Sequence, residues 1–179
     1  MLKMMKTLPA GCVLGEMESP VGKLAIVASD AGLHTLVSEK DREEAECKKI
    51  LQSLKVSGKH PIVAKTKTQL TEYFAGKRFK FDIPLVLDGT PFQKLAWKQL
   101  LAIPYGETVS YGEQARRLGD AKKARAVGGA NARNPVGIIV PCHRVVGKDG
   151  DLTGFAWGMD MKTFLLKLEK TAKQSSMKI

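Results

Sequence analysis

The sequence changes character at Asp88-Gly89, and that change limits the chain to a sheet-bearing first half followed by a helical second half. Before the break, residues 11–18 and 23–29 have strand character on either side of Ser19-Pro20-Val21-Gly22, and 33–38 follow the turn Asp30-Ala31-Gly32. Residues 41–54 show helical spacing instead, with Cys47, Ile50, Leu51 and Leu54 on one face. A second helix is expected over 68–75 through Leu70, Tyr73 and Phe74, with Gly76 closing it. The expected first domain, 1–89, is a small antiparallel sheet with one or two helices.

After the break, Thr90 is a cap-type residue and Pro91 a favoured first helical position. The helix they open should turn Phe92, Leu95, Ala96, Gln99 and Leu100 inward and end at Pro104-Tyr105-Gly106. Ser110 and Glu113 have capping-box spacing, and Tyr111, Ala115 and Leu118 recur at helical intervals. Gly119-Asp120 makes a tight turn, with Asp120 placed to cap another helix running to about residue 132. Helix, short glycine-containing turn, helix is the helix-turn-helix arrangement, though such a pair also serves as ordinary packing. The class is α+β, with a mostly helical second domain over 90–179.

The second helix of that pair is small and basic at once. Ala121, Ala124, Ala126, Gly128, Gly129 and Ala130 alternate with Lys122, Lys123 and Arg125, and Arg133 follows. Small residues let a backbone approach a neighbour closely, and basic ones suit a phosphate backbone. Adjacent glycines each weaken a helix by about 1 kcal/mol relative to Ala, which close approach would offset. That neighbour is a nucleic acid on one reading and another helix on the other. Charge is uneven in the same sense: residues 1–90 carry 14 Lys and Arg against 11 Asp and Glu, and 91–179 carry 15 against 7. A basic excess in one half suits a polyanionic partner such as nucleic acid, and charge alone fits a merely basic surface equally well.

A 44% hydrophobic chain packs a core and is not disordered. No apolar run reaches the roughly 18 residues of a bilayer span. The opening Met1-Leu2-Lys3-Met4-Met5-Lys6-Thr7 lacks the apolar stretch of a secretory signal, so a cytoplasmic location is expected, or a nuclear one in a eukaryote. Cys12, Cys47 and Cys142 are too few and scattered for a disulfide framework. Cys12 and Cys47 fall on core-facing positions and read as inert. Val136 to Val140 is an apolar run suited to a buried strand or extended segment, stopped by Pro141, which sets Cys142 at a boundary where a thiol is both anchored and accessible. His143 beside it says little alone, because neighbours on an extended chain point to opposite sides. In the last helix, from about Met159, the inward stripe is Met161, Phe164, Leu165 and Leu168. Glu169 lies at the edge of that stripe, where a carboxylate needs a partner unless the helix end is solvated.

Ser110-Tyr111-Gly112, the run from Ala124 to Ala130, Asn134-Pro135 and Pro141-Cys142-His143-Arg144-Val145 together closely resemble the O6-alkylguanine-DNA alkyltransferase family. The match continues through Gly150, Gly154, Trp157-Gly158, Lys162 and Leu165-Leu166 to Glu169, and so covers essentially 90–169. The first half agrees only in outline, including Tyr73-Phe74-Ala75-Gly76. The resemblance implies a ribonuclease-H-like first domain and a winged-helix-like second one. It implies single-turnover transfer of an alkyl group from O6-alkylguanine in DNA, with O4-alkylthymine as a further substrate, to Cys142. No cofactor is implied, and the partner is double-stranded DNA held by a monomer through the minor groove, with the damaged base flipped out.

By the same resemblance His143 takes the thiol proton through water and Glu169 orients His143. Tyr111 donates to the departing guanine, and Asn134 organises the turn before Cys142. Carbonyls of Cys142 and Val145 meet the exocyclic amine, and the Ala156 amide meets the base oxygen. Arg125 fills the gap in the base stack, while Ala124, Ala126 and Gly128 give close approach and Lys122, Lys123 and Arg133 contact DNA. The chain departs from the family at Phe155-Ala156-Trp157, where hydroxyl-bearing or smaller residues are common, and Trp157 is expected to narrow the pocket in favour of methyl groups. Asn131 and Ala132 also differ from longer side chains in some members. A structural zinc, which some members carry, is not expected, because Cys12, His34, Cys47 and His60 lack paired-ligand spacing. A thiol hydrolase using Cys142, His143 and Glu169, a noncatalytic helix-turn-helix DNA binder, and alkyltransferase-like proteins lacking the acceptor cysteine are the competing readings.

Overall fold

Strand β2 (Leu24–Ser29) is buried at every residue, which is why its sequence is a nearly continuous apolar run with little alternation. In the computed structural model, which describes residues 8–176, it pairs antiparallel with β1 (Val13–Met17) and β3 (Gly32–Val37). The opening residues 1–7, read above against a secretory signal, lie outside the described residues. A short strand β4 (Lys55–Val56) runs parallel beside β1, giving the order β3-β2-β1-β4 and a mixed sheet. Two residues are too few for periodicity to reveal, so the sequence pointed only to the antiparallel part.

The helix expected over 41–54 is two helices, α1 (Glu39–Arg42) and α2 (Ala45–Ser53). Ser38 caps α1 by accepting from the Asp41 amide, and Arg42 reaches Glu16 on β1, while Glu44 takes an extended conformation that restarts the helix. Cys47 and Leu51 of α2 close over Cys12, Leu14, Ala25, Val27 and Val37. Helix α3 (Pro61–Phe74) packs against the sheet through buried Val63, Leu70 and Tyr73. It begins well before residue 68 because Pro61 opens it and because part of its buried face is polar. Thr66 satisfies itself on the Ile62 carbonyl (2.7 Å) and Gln69 bonds Asp82, so neither contributes to an apolar pattern.

The chain parts between Asp88 and Gly89 into two compact units. Helix α4 (Pro91–Leu101) opens with a full capping box between Thr90 and Gln93. Its inward face is Ala96, Trp97 and Leu100, whereas Leu95, expected inside, is 56% exposed. Trp97 turns the helix: its ring is fully buried and its Nε1–H donates to the Ala130 carbonyl at 2.9 Å.

A short strand β5 (Val109–Ser110) leads into α5 (Tyr111–Arg117). Ser110 Oγ accepts from the Glu113 amide, but the Glu113 side chain turns to Arg116 and Arg117, so only half the capping box forms. Gly119 holds φ +94 in the turn, with open space where a side chain would stand. The expected single helix from Asp120 is a 3₁₀ turn (Ala121–Lys123), capped by Asp120, followed by α6 (Ala124–Asn131).

The apolar run before Pro141 is buried as expected but is not extended. It coils into turns, with the Val140 amide on the Val136 carbonyl (2.9 Å) and Ile138 at φ +71, a conformation a β-branched residue rarely adopts. A 3₁₀ turn (Cys142–Arg144) follows, then β6 (Val145–Val146), parallel to β5, and finally α7 (Met159–Ser176). Among the described residues no helix is long and apolar enough to cross a membrane.

Candidate active site

Helix α7 presents Lys162, Leu165 and Glu169 inward, all fully buried, a face rotated from the expected stripe: Phe164 is 37% exposed, and Met161 and Leu168 are half-buried. Two charged residues lie inside because each finds partners there. Glu169 Oε1 accepts from His143 Nε2 (2.8 Å) and Arg144 Nη2 (3.0 Å), and Oε2 from Arg144 Nε (2.9 Å) and the Gly106 amide (2.9 Å). Arg144 spends its remaining Nη1 on the Ile103 carbonyl (2.7 Å) and lies 5.5 Å from the centre of the Tyr105 ring. Burial pushes the Glu169 carboxyl up, but the His143 hydrogen bond and the Arg144 charge outweigh it and hold the group down at about 2.

An ionised carboxylate only accepts, so the hydrogen between it and His143 belongs to Nε2. That leaves His143 Nδ1 as a lone pair, and this buried atom has no hydrogen-bond partner among the described residues. Burial lowers the His143 pKa, only partly countered by Glu169, so the ring is neutral near pH 7. The 3₁₀ turn that begins at Cys142 replaces the extended geometry expected there, so the opposite-sides argument against the pair does not apply.

Cys142 is 9% exposed, less open than its position at a segment boundary implied. Asn134 Nδ2 donates to its sulfur at 3.2 Å and to the Val140 carbonyl at 2.7 Å, while Asn134 Oδ1 accepts from the Val136 amide. Burial nevertheless pushes the thiol up. The Asn134 hydrogen bond, the Lys162 charge and backbone amides oppose it without winning, so the resting sulfur is a thiol and not a thiolate.

Lys162 and Arg144 are the residues that sequence reasoning left without roles. Lys162 Nζ donates to the Val145 (2.6 Å) and Thr153 (2.8 Å) carbonyls and sits 5.8 Å from the centre of the Tyr111 ring. The signal for it was available, since 162, 165 and 169 lie on one helical face. Tyr111 OH donates to the Thr153 (3.2 Å) and Gly154 (3.1 Å) carbonyls, and burial, first, with the nearby Cys142 keeps the phenol neutral. The carbonyls expected to meet a base amine already have donors, Val145 from Lys162 and Cys142 from the Val145 amide, so a base would use their second lone pairs.

Trp157 is buried and lies against Gly137, where a side-chain carbon would stand 2.7 Å from the indole. Phe155 meets it edge-on at 6.2 Å, and Ala156 is exposed between them. On α6 and the turn before it Lys122, Lys123, Arg125 and Ala126 are exposed, Ala124 is half-buried, and the exposed Arg133 returns to the Gly129 carbonyl. Gly128, grouped with them in the sequence, faces the Tyr111 ring instead. Asn131 is buried and makes its contacts inside the domain. Cys12 and Cys47 are buried, and among the described residues no three His, Cys, Asp or Glu side chains cluster as metal ligands.

A ribonuclease-like unit followed by a DNA-binding unit is the domain order of one known class. The 6-O-methylguanine DNA methyltransferase ribonuclease-like domain matches residues 13–87, and the DNA binding domain of the same name matches 91–171. The chain belongs to the 6-O-methylguanine DNA methyltransferase family. A methylated-DNA–protein-cysteine methyltransferase of Methanosarcina acetivorans is 45% identical over 152 residues, covering 85% of this chain and 94% of the relative. The constitutive one of Bacillus subtilis is 43% identical over 154 residues, covering 86% and 92%. The crystal structure of Mycobacterium tuberculosis O6-methylguanine methyltransferase superposes with a TM-score of 0.80 at 42% identity, covering 90% of this chain and 94% of that one. A crystal structure of the M. tuberculosis protein in complex with DNA gives 0.78 at 41%, covering 88% and 92%.

Proposed function

We propose that the protein repairs DNA as a monomer by moving an alkyl group from O6 of guanine, or O4 of thymine, onto Cys142, once per molecule. The observation that supports this reading is a buried cysteine followed by a histidine whose Nδ1 is buried and, among the described residues, has no hydrogen-bond partner. His143 Nδ1 takes the thiol proton, directly or through one water, as the base arrives. The Cys142 sulfur attacks the alkyl carbon, the carbon–oxygen bond breaks, and its electron pair leaves with guanine. Tyr111 hands its phenolic hydrogen to the departing ring, where negative charge develops. Glu169 balances the imidazolium that forms, and Asn134 holds the sulfur in line.

The damaged base reaches the sulfur by leaving the duplex, with α6 in the minor groove and Arg125 in the vacated stack. Lys122, Lys123 and Arg133 supply phosphate contacts, and Ala124 and Ala126 give the backbone close approach. Phe155, the Ala156 amide and the Val145 carbonyl border the base.

Incubation with duplex DNA carrying O6-methylguanine is expected to add one methyl group, about 14 Da, per protein, and peptide mapping to put it on Cys142 and not on Cys12 or Cys47. Repeated turnover without a lasting adduct would indicate a hydrolase. An unmodified protein that still binds DNA would indicate a noncatalytic binder.

Trp157 seated on Gly137 narrows the site, so benzylguanine is expected to label Cys142 at least about tenfold more slowly than the methylated base does. Trp157→Gly should shrink that gap. Wild-type labelling as fast as methyl transfer would remove Trp157 from size selection.

A further inference from the structure

Helix α6 has few side chains with which to fix its register against a neighbour. Side chains normally interdigitate across a helix pair, but here Val127 is the one buried apolar side chain larger than Ala, and Gly128, Gly129 and Ala130 offer no knobs. What spans the gap is a pair of buried amides, Gln114 on α5 (1% exposed) and Asn131 at the end of α6 (5% exposed). Asn131 Nδ2 donates to Gln114 Oε1 at 2.8 Å, and Gln114 Nε2 donates to the Ala96 carbonyl on α4 at 3.1 Å and toward Asn131 Oδ1 at 3.4 Å. Together with the Trp97 bond to the Ala130 carbonyl, these contacts pin the end of α6 to both other helices.

A Leu or Met pair would fill the same space without directional bonds. Buried polar pairs of this kind contribute little net stability but admit one arrangement, because a shifted register leaves donors and acceptors unmade. We infer that Gln114 and Asn131 are positioning residues for DNA: their clasp fixes α6, and with it Arg125, against α5. The thiol turn keeps its bonds when the clasp side chains are replaced: the Asn134 side chain bonds Val136 and Val140, and its amide donates to the Asn131 backbone carbonyl (3.1 Å), which a side-chain substitution leaves in place.

The inference rests on the proposed repair function and is tested with the double variant Gln114→Met, Asn131→Leu. Methyl transfer is timed from a methylated duplex and from the free methylated base, with a thermal melt of each protein. The expected result is a cooperative melt, a free-base rate within about twofold of wild type, and a duplex rate lowered about 10- to 100-fold, the scale of loss when a reacting group is misplaced by an ångström. A folded variant that keeps the wild-type duplex rate overturns the inference, as does a parallel fall in both rates. Should the double variant fail to fold, Gln114→Met alone is read by the same criteria. If wild-type protein itself gains no methyl group, it is the repair function that fails.

Discussion

Glu169→Gln is expected to lower methyl transfer about 10²- to 10⁴-fold, the range of a general acid–base contribution, and to destabilise the second unit by about 3 to 5 kcal/mol. The two effects have separate origins. Stability falls because Arg144 keeps its buried charge while losing its counter-charge and one of its two acceptor oxygens, and the amide nitrogen that replaces that oxygen is a donor facing the guanidinium. Reactivity falls because the imidazolium formed when His143 takes the thiol proton loses its counter-charge. Adding Arg144→Met to Glu169→Gln removes the unpaired cation, so most of the stability should return while methyl transfer stays slow. Recovery of both together would mean that Glu169 serves the fold alone.

The pH dependence follows with the same sign for both groups. The Glu169 carboxyl is held at about 2 against an ordinary 4.5. It contributes about 3 kcal/mol above pH 4.5, lost progressively as pH falls toward 2, because the unfolded chain takes the proton first. His143, lowered by burial, adds a loss that begins below 6.5. Denaturant titrations from pH 7 to pH 3 should therefore show wild-type stability falling with acid, and Glu169→Gln should lack the component below 4.5.

The elements that sequence made legible are those with local punctuation. Thr90-Pro91 opened α4 at the expected residue, and Gly119-Asp120 marked the turn between α5 and the segment leading to α6. In two helices periodicity was misled by polar groups that are buried because they are paired. Thr66 and Gln69 hid the start of α3, and Lys162 with Glu169 rotated the face of α7. At the site, the motif around Cys142 singled out residues that the structure brings together, Asn134 with Cys142 and His143 with Glu169, but it did not give their protonation states. A boundary cysteine suggested an accessible thiol, whereas Cys142 is buried, and that burial raises its pKa. The coil of 136–140 was equally out of reach, since the left-handed position falls on β-branched Ile138 and not on the neighbouring Gly137.

Arg125→Ala is expected to slow repair of a duplex lesion about 10- to 100-fold, and to slow reaction with the free methylated base far less. Arg125 is exposed on the first turn of α6, whereas Cys142 and His143 are buried, so a direct part in the chemistry is not expected of it. Opening the duplex costs a few kcal/mol, and a side chain that fills the vacated stack offsets part of it. Each 1.4 kcal/mol so offset is a factor of 10 in rate. Lys122→Ala separates this role from simple charge. Loss of one phosphate contact should weaken DNA binding about uniformly across sequences and reduce the salt slope by about 1. Arg125→Ala should also penalise well-paired duplexes more than mismatched ones, whose bases are already easier to extrude. Equal losses on the duplex and the free base would remove Arg125 from base extrusion, and a loss that vanishes at low salt would reduce it to one more cation on the groove.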